Sequence, residues 1–199
     1  MIGVSAAVAL AARAEPPSEP ARFSYGTQQV ALLASGGFGL PVHDDRDVDD
    51  ARMFGLFARW GIGLTDPLAR GAVYEGNVEL DVQPFLLLNF EPRSGWAAGG
   101  SLLLHYNFLR GGAIVPFIEG GGGASELQFD LDDEADGFTF PLEASLGFHV
   151  LSFERGALTA SVGYFHLSNA GREFPNYGVN AVMVRIGTLF FPGSSAARH

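Results

Sequence analysis

Apolar and polar residues alternate with a period of two along most of this chain, in about eight segments separated by stretches rich in Gly, Asp and Pro. In 52–64, RMFGLFARWGIGL, the even positions Phe54, Leu56, Ala58, Trp60, Ile62 and Leu64 are apolar, while Gly55, Arg59, Gly61 and Gly63 are small or charged. Segment 78–90 sets Val78, Leu80, Val82, Leu86, Leu88 and Phe90 against Glu79, Asp81, Gln83 and Asn89. Segments 96–108, 138–150, 157–169 and 180–191 repeat the split, and 30–38 and 114–130 are weaker, Gly-interrupted versions. Side chains on a strand point alternately to its two faces, so each segment predicts a strand with one apolar face.

Which face meets water decides the fold. In a soluble β-sandwich, the alternative, the polar face sees bulk solvent and favours many Lys, Glu and Thr. Here that face carries Gly, Ser, Asn and His, with Arg59 and Arg185 opposed to Glu79, Asp81, Glu119 and Glu143. Such a set suits an enclosed, charge-paired lumen. The segments also reach the roughly 9–11 residues that a tilted strand needs to cross a bilayer. The pattern therefore predicts an all-β fold, an eight-stranded antiparallel transmembrane β-barrel over 23–192. With both termini on the periplasmic side, the tight turns 110–112 and 154–156 fall there with the longer 65–77. The loops 41–50, 130–137 and 169–178 fall outside.

Composition narrows the function. The 199 residues suffice for one domain, and 27 Gly with 17 Phe fit many strands, tight turns and aromatic anchors. A formal charge of -10, with only 12 scattered Lys and Arg, excludes a nucleic-acid partner, which would need clustered cations. The absence of Cys removes disulfides and thiolate chemistry. Residues 2–11 are apolar and Ala12-Arg13-Ala14 has the form of a cleavage site, although no basic residue precedes the run. Residues 1–14 are thus expected to be a truncated signal peptide, 15–22 a linker and 193–199 a C-terminal tail.

The seventh segment carries the candidate chemistry. His166 and Ser168 continue the lipid-facing row of Leu158, Ala160, Val162 and Tyr164, about 6.6–7 Å apart along the strand, and Asn180 begins the outward row of the next segment. A hydroxyl becomes a nucleophile when a base takes its proton, and the base needs a third group to hold its tautomer. Ser168, His166 and Asn180 fit those roles, and the main-chain N–H groups of Asn169, Ala170 and Gly171 offer an oxyanion site. The other reading of the same residues is an interfacial girdle of Tyr, His and Ser at the headgroup level of a barrel.

HLSNAG at 166–171, PNYGVN at 175–180 and PFIEGGGGAS at 116–125 resemble the lipid A 3-O-deacylase (PagL-like) family of outer-membrane barrels. The resemblance implies a bacterial outer-membrane esterase that removes a 3-hydroxyacyl chain from lipopolysaccharide, with His166 and Ser168 facing the lipid and no metal or organic cofactor. Its partners would be lipid A and the outer membrane, with a homodimer as a further option. Where this chain has Asn180, the family's founding members carry a Glu that orients the His and stabilises the imidazolium. Asn can orient through its carbonyl oxygen but supplies no charge. Glu173 is an alternative acid in the following loop, and Glu143 one in sequence only, since its parity points it into the lumen. The acidic runs 44–50 and 130–136 are read either as solvated outer loops or as carboxylates sharing the divalent cations of a phosphorylated lipid surface. A non-catalytic barrel with a surface or structural role is the competing function.

Overall fold

The computed structural model describes residues 22–42, 46–110 and 112–192, so the expected signal peptide, most of the linker and the C-terminal tail lie outside the described residues. Eight strands follow in order: β1 (Gln28–Gly39), β2 (Arg52–Gly63), β3 (Gly76–Glu91), β4 (Gly95–Phe108), β5 (Ile114–Gln128), β6 (Gly137–Phe153), β7 (Gly156–Ser168) and β8 (Val179–Phe190). Each pairs antiparallel with the next, and β8 returns to β1 over Val30↔Phe190 to Gly39↔Ala181, closing the sheet. Closure leaves no edge whose N–H and C=O groups would need water, the condition for a sheet surrounded by hydrocarbon. No helix among the described residues is long and apolar enough to cross a membrane.

Burial alternates along the strands as the period-two pattern predicts. In β2, Met53, Gly55, Phe57, Arg59 and Gly61 are buried, while Phe54, Leu56 and Trp60 are exposed on the outer surface. Leu32, Leu104, Leu146 and Ile186 join that apolar exterior from other strands. Two of the three strand prolines, Pro84 and Pro141, sit at breaks in one of their ladders. The β2–β3 pairing steps from Phe57↔Phe85 to Trp60↔Val82, and β5–β6 from Gly122↔Leu142 to Ser125↔Thr139. These steps skip Pro84 and Pro141, which have no N–H to donate. The fifth strand stops at Gln128, short of the expected Asp130. The Asp136 carboxylate accepts the N–H groups of Phe129 (2.9 Å) and Asp130 (3.0 Å), and Asp130 turns to a φ of 54°.

The lumen is filled in three layers. An apolar cluster that includes Phe57, Phe85, Leu127, Phe165 and Leu167 occupies the end reached by the β1–β2, β5–β6 and β7–β8 loops, and Phe23, Val115, Leu189 and Phe191 close the other. Between them runs a ring of polar bonds. Arg59 donates to Gln83 Oε1 (3.0 and 2.6 Å), and Gln83 Nε2 donates to Glu143 (3.2 and 3.3 Å). Glu143 pairs with Arg185 (2.5 Å), Arg185 with Glu119 (3.5 Å), and Glu119 with Arg59 (2.8 Å). One network thus joins side chains of β2, β3, β5, β6 and β8 across the barrel axis. Glu79 departs from the expected charge pairing: it bonds to the amides of Gln29 (2.5 Å) and Asn77 (3.3 Å) instead of an arginine, because it lies one turn of the pleat nearer the β2–β3 turn.

Removing one partner of a buried ion network leaves the others charged and unpaired, at a cost of about 3–5 kcal/mol. Arg59→Ala is expected to lower the urea midpoint of the detergent-solubilised barrel by that equivalent, with early loss of heat-modifiable gel mobility. An unmoved midpoint would show that the ring carries no net stability.

Candidate active site

The site grows from the outer end of β7 and β8. Phe165 and Leu167 point inward and are fully buried, with Phe165 edge-on to Phe85 (centroids 5.6 Å apart), so the alternate residues Tyr164, His166 and Ser168 must face outward. His166 and Asn180 are direct cross-strand partners, and β6 flanks the row with Leu142 opposite His166 and Phe140 opposite Ser168. These three polar side chains form one line: Ser168 Oγ lies 3.0 Å from His166 Nε2, and His166 Nδ1 lies 2.9 Å from Asn180 Oδ1.

The direction of each proton follows from the third contact of Asn180. Its Nδ2 donates to the Gly178 carbonyl at 3.1 Å, which assigns the amide nitrogen to that side and the oxygen to the imidazole. An oxygen facing Nδ1 requires that Nδ1 carry the proton, so Nε2 keeps its lone pair for the Ser168 hydroxyl. The arrangement therefore holds the tautomer that a general base needs. Tyr164 adds a second donor, its hydroxyl bonding to the same Asn180 Oδ1, and its ring stacks parallel to the imidazole at 6.3 Å. Tyr164 was visible in the sequence as a member of the outward row; its bond to Asn180 was not.

The chain turns sharply around this line. Gly178 has a φ of 74°, and a Cβ there would lie 2.6 Å from His166 Cε1, so the imidazole packs directly on the glycine backbone. After Ser168, Ala170 and Gly171 both take left-handed φ values, 57° and 75°. Of the three N–H groups expected to receive an oxyanion, that of Asn169 is already donated, to Asn176 Oδ1 (3.1 Å) and Glu134 Oε1 (3.3 Å). The Asn169 side chain stays inside its own loop, accepting from the Arg172 N–H at 3.0 Å and donating to the Glu173 carbonyl at 3.0 Å. Glu173 contributes that carbonyl, and Asn180 occupies the imidazole position for which Glu173 was the alternative. Glu143 lies in the lumen, paired with Arg185.

Metal-ligating types gather at one place among the described residues, Asp81, His105 and Glu119, with ligand atoms within 4.8 Å of one another. The Arg59 guanidinium lies 2.8 Å from Glu119 and 3.4 Å from Asp81, filling with a fixed cation the space that an ion would use. In the β1–β2, β3–β4 and β5–β6 loops, Arg93 pairs with Asp132 (2.6 Å), Asp47 (3.7 Å) and Asp130 (3.7 Å), and Arg46 with Asp133 (3.1 Å). Asp47, Asp130, Asp132 and Asp133, four of the described acidic side chains considered as cation ligands, are thus paired with arginines, while Asp136 and Glu134 accept main-chain N–H groups; Asp44 and Asp45 lie outside the described residues.

The profile of the lipid A 3-O-deacylase (PagL) family matches residues 52–188, from the start of β2 to near the end of β8. Comparison with curated proteins found no match. Among solved structures, the outer membrane enzyme PagL aligns over 79% of this chain and 97% of its own, at 18% identity and a TM-score of 0.60. Neisserial surface protein A (NspA) aligns over 82% of this chain and 96% of its own, at 13% identity and a TM-score of 0.61. At these identities the two structures speak for the shared barrel, whereas the family match covers most of the chain and includes His166, Ser168 and Asn180. This chain is therefore a β-barrel of the bacterial outer membrane, and it belongs to the lipid A 3-O-deacylase (PagL) family.

Proposed function

We propose that the protein is an esterase that removes a 3-hydroxyacyl chain from lipid A, with Ser168 as nucleophile, His166 as base and then acid, and Asn180 as the residue that orients His166. The observation carrying this reading is the hydrogen-bonded line Ser168–His166–Asn180 on the outward surface, at the loop end of the barrel. A catalytic line turned away from the lumen suits a substrate that approaches laterally within the membrane. Its ester would stand at the boundary between headgroup and acyl chains, level with the ends of β7 and β8.

The chemistry needs two steps. Ser168 Oγ bonds to the ester carbonyl carbon as its proton passes to His166 Nε2, and the N–H groups of Ala170 and Gly171 receive the oxyanion. The carbon–oxygen bond to the sugar breaks as His166 returns the proton to the leaving oxygen. Water then attacks the acyl-serine with His166 again as base, releasing the hydroxy acid. Asn180 and Tyr164 keep the imidazole in the required tautomer, but neither offers a negative charge to the imidazolium that forms. A second reading, a non-catalytic surface barrel, draws on the equal likeness in fold to NspA.

Expression of the mature barrel in an outer membrane, followed by mass spectrometry of extracted lipid A, separates the two. Loss of one 3-hydroxyacyl chain with the wild-type protein, and its retention with Ser168→Ala, is the expected result; identical spectra from a folded wild type would favour the surface barrel. Asn180→Glu supplies a negative charge to the imidazole while giving up the amide donor to the Gly178 carbonyl, and is expected to raise kcat by about ten- to a hundredfold, about 1.4–2.7 kcal/mol of barrier. Gly178→Ala should do the reverse. Its methyl group would press on His166 Cε1 from a strained left-handed backbone, with an expected fall in kcat of about 10²-fold while heat-modifiable mobility is kept.

A further inference from the structure

The acidic run in the β5–β6 loop contains one member that behaves unlike its neighbours. Asp130 and Asp132 reach outward to Arg93, yet Glu134 is only 1% exposed. Its partners among the described residues are main-chain N–H groups: Oε2 accepts from Gly178 at 2.7 Å and Oε1 from Asn169 at 3.3 Å. A carboxylate buried at a loop needs such donors, and the loops supply them by pairing with each other. Ala135 donates to the Pro175 carbonyl (2.8 Å), Tyr177 donates to the Asp133 carbonyl (3.1 Å), and Glu134 and Asn176 form an isolated antiparallel bridge.

The two N–H groups belong to positions that matter. Asn169 immediately follows the nucleophile Ser168. Gly178 carries the carbonyl that fixes the amide of Asn180, and its Cα face supports the His166 ring. One carboxylate therefore holds the peptide after the nucleophile and the peptide that sets both the base and its orienter. Together with Asn176 Oδ1, the nearer acceptor at 3.1 Å, it occupies the Asn169 N–H, so that an oxyanion in this reading falls to Ala170 and Gly171.

We propose that Glu134 is a positioning residue for the reaction: by clamping the two ends of the 169–178 loop, it keeps Ser168, His166 and Asn180 in line. The inference rests on the esterase reading above. Two oxygens that both accept are essential to the clamp, and only the ionised carboxylate provides them. Burial pushes the Glu134 carboxyl above its usual range, and the N–H groups of Gly178, Asn169 and Tyr177 hold it down in part. In a glutamine, the same shape would place an amide N–H2 against one of the two N–H groups, breaking one end of the clamp.

The test compares wild type, Glu134→Gln and Asp130→Asn, purified in detergent, on lipid A by kcat, KM and melting midpoint. Asp130 is a loop carboxylate on the outer side of the same run and serves as the charge control. Glu134→Gln is expected to lose about 10²-fold in kcat with KM and melting midpoint unchanged, the pattern of a misaligned line and not of weakened binding or folding. Asp130→Asn should match wild type. An unchanged kcat in Glu134→Gln, or a loss matched by Asp130→Asn, overturns the proposal. Should Glu134→Gln fail to fold, amide exchange in the wild-type barrel decides: Gly178, whose N–H is accepted by Glu134 Oε2, is expected to be protected like a strand amide, and free exchange there overturns the clamp. A wild-type barrel that leaves lipid A intact brings down the esterase reading, and the positioning role with it, before any variant is measured. A wild type that works beside an equally fast Glu134→Gln brings down the positioning role alone.

Discussion

Every backbone N–H and C=O in the hydrocarbon layer must find a partner in the protein, and the pairing of β8 with β1 meets that demand for the whole sheet. Much else in the molecule follows from this closure. A closed sheet has an inside and an outside, so the period of two becomes a division between lumen and lipid. The lumen is too narrow to hold bulk water beside large side chains, so its polar residues must satisfy one another. Arg59, Gln83, Glu143, Arg185 and Glu119 do so in a ring, and Phe57, Phe85 and Phe165 pack above it.

That packing is also what aims the candidate site. Arg185 lies under the rings of Phe57 (4.5 Å) and Phe165 (5.9 Å), and Phe165 fills the interior directly behind His166. A residue buried at 165 and another at 167 commit 164, 166 and 168 to the exterior. The Ser168–His166–Asn180 line is thus a consequence of the same alternation that builds the barrel, extended by polar residues at the loop end of β7 and β8. Its fine alignment comes from elsewhere, from the contact between the 129–136 and 169–178 loops, where Glu134, Gly178 and Asn169 meet.

Asn180 shows how geometry and charge separate. Asn180 keeps the position, the partner atom and, through its bond to the Gly178 carbonyl, the correct amide orientation. An amide carries no negative charge to the imidazole, and the Tyr164 hydroxyl shares the same oxygen without adding one. The tautomer of His166 is therefore set by a backbone carbonyl two residues before Asn180 in the chain.

Local rules were enough to read the strands, their faces, the lumenal charges and the His166–Ser168–Asn180 row, because alternation and hairpin pairing act between residues that are near in sequence or opposite in register. The same rules missed the amide partners of Glu79, the occupied N–H of Asn169, the arginines that balance the acidic loops and the inward turn of Glu134. Each of these depends on which loops and strands come together around the barrel, over separations such as the 44 residues between Glu134 and Gly178. The sequence by itself determined a membrane barrel and the face on which its chemistry would stand, since side-chain parity is a property of one strand. Only the tertiary structure decided which groups hold that chemistry in place, since a buried carboxylate finds its hydrogen-bond donors only once distant loops have met.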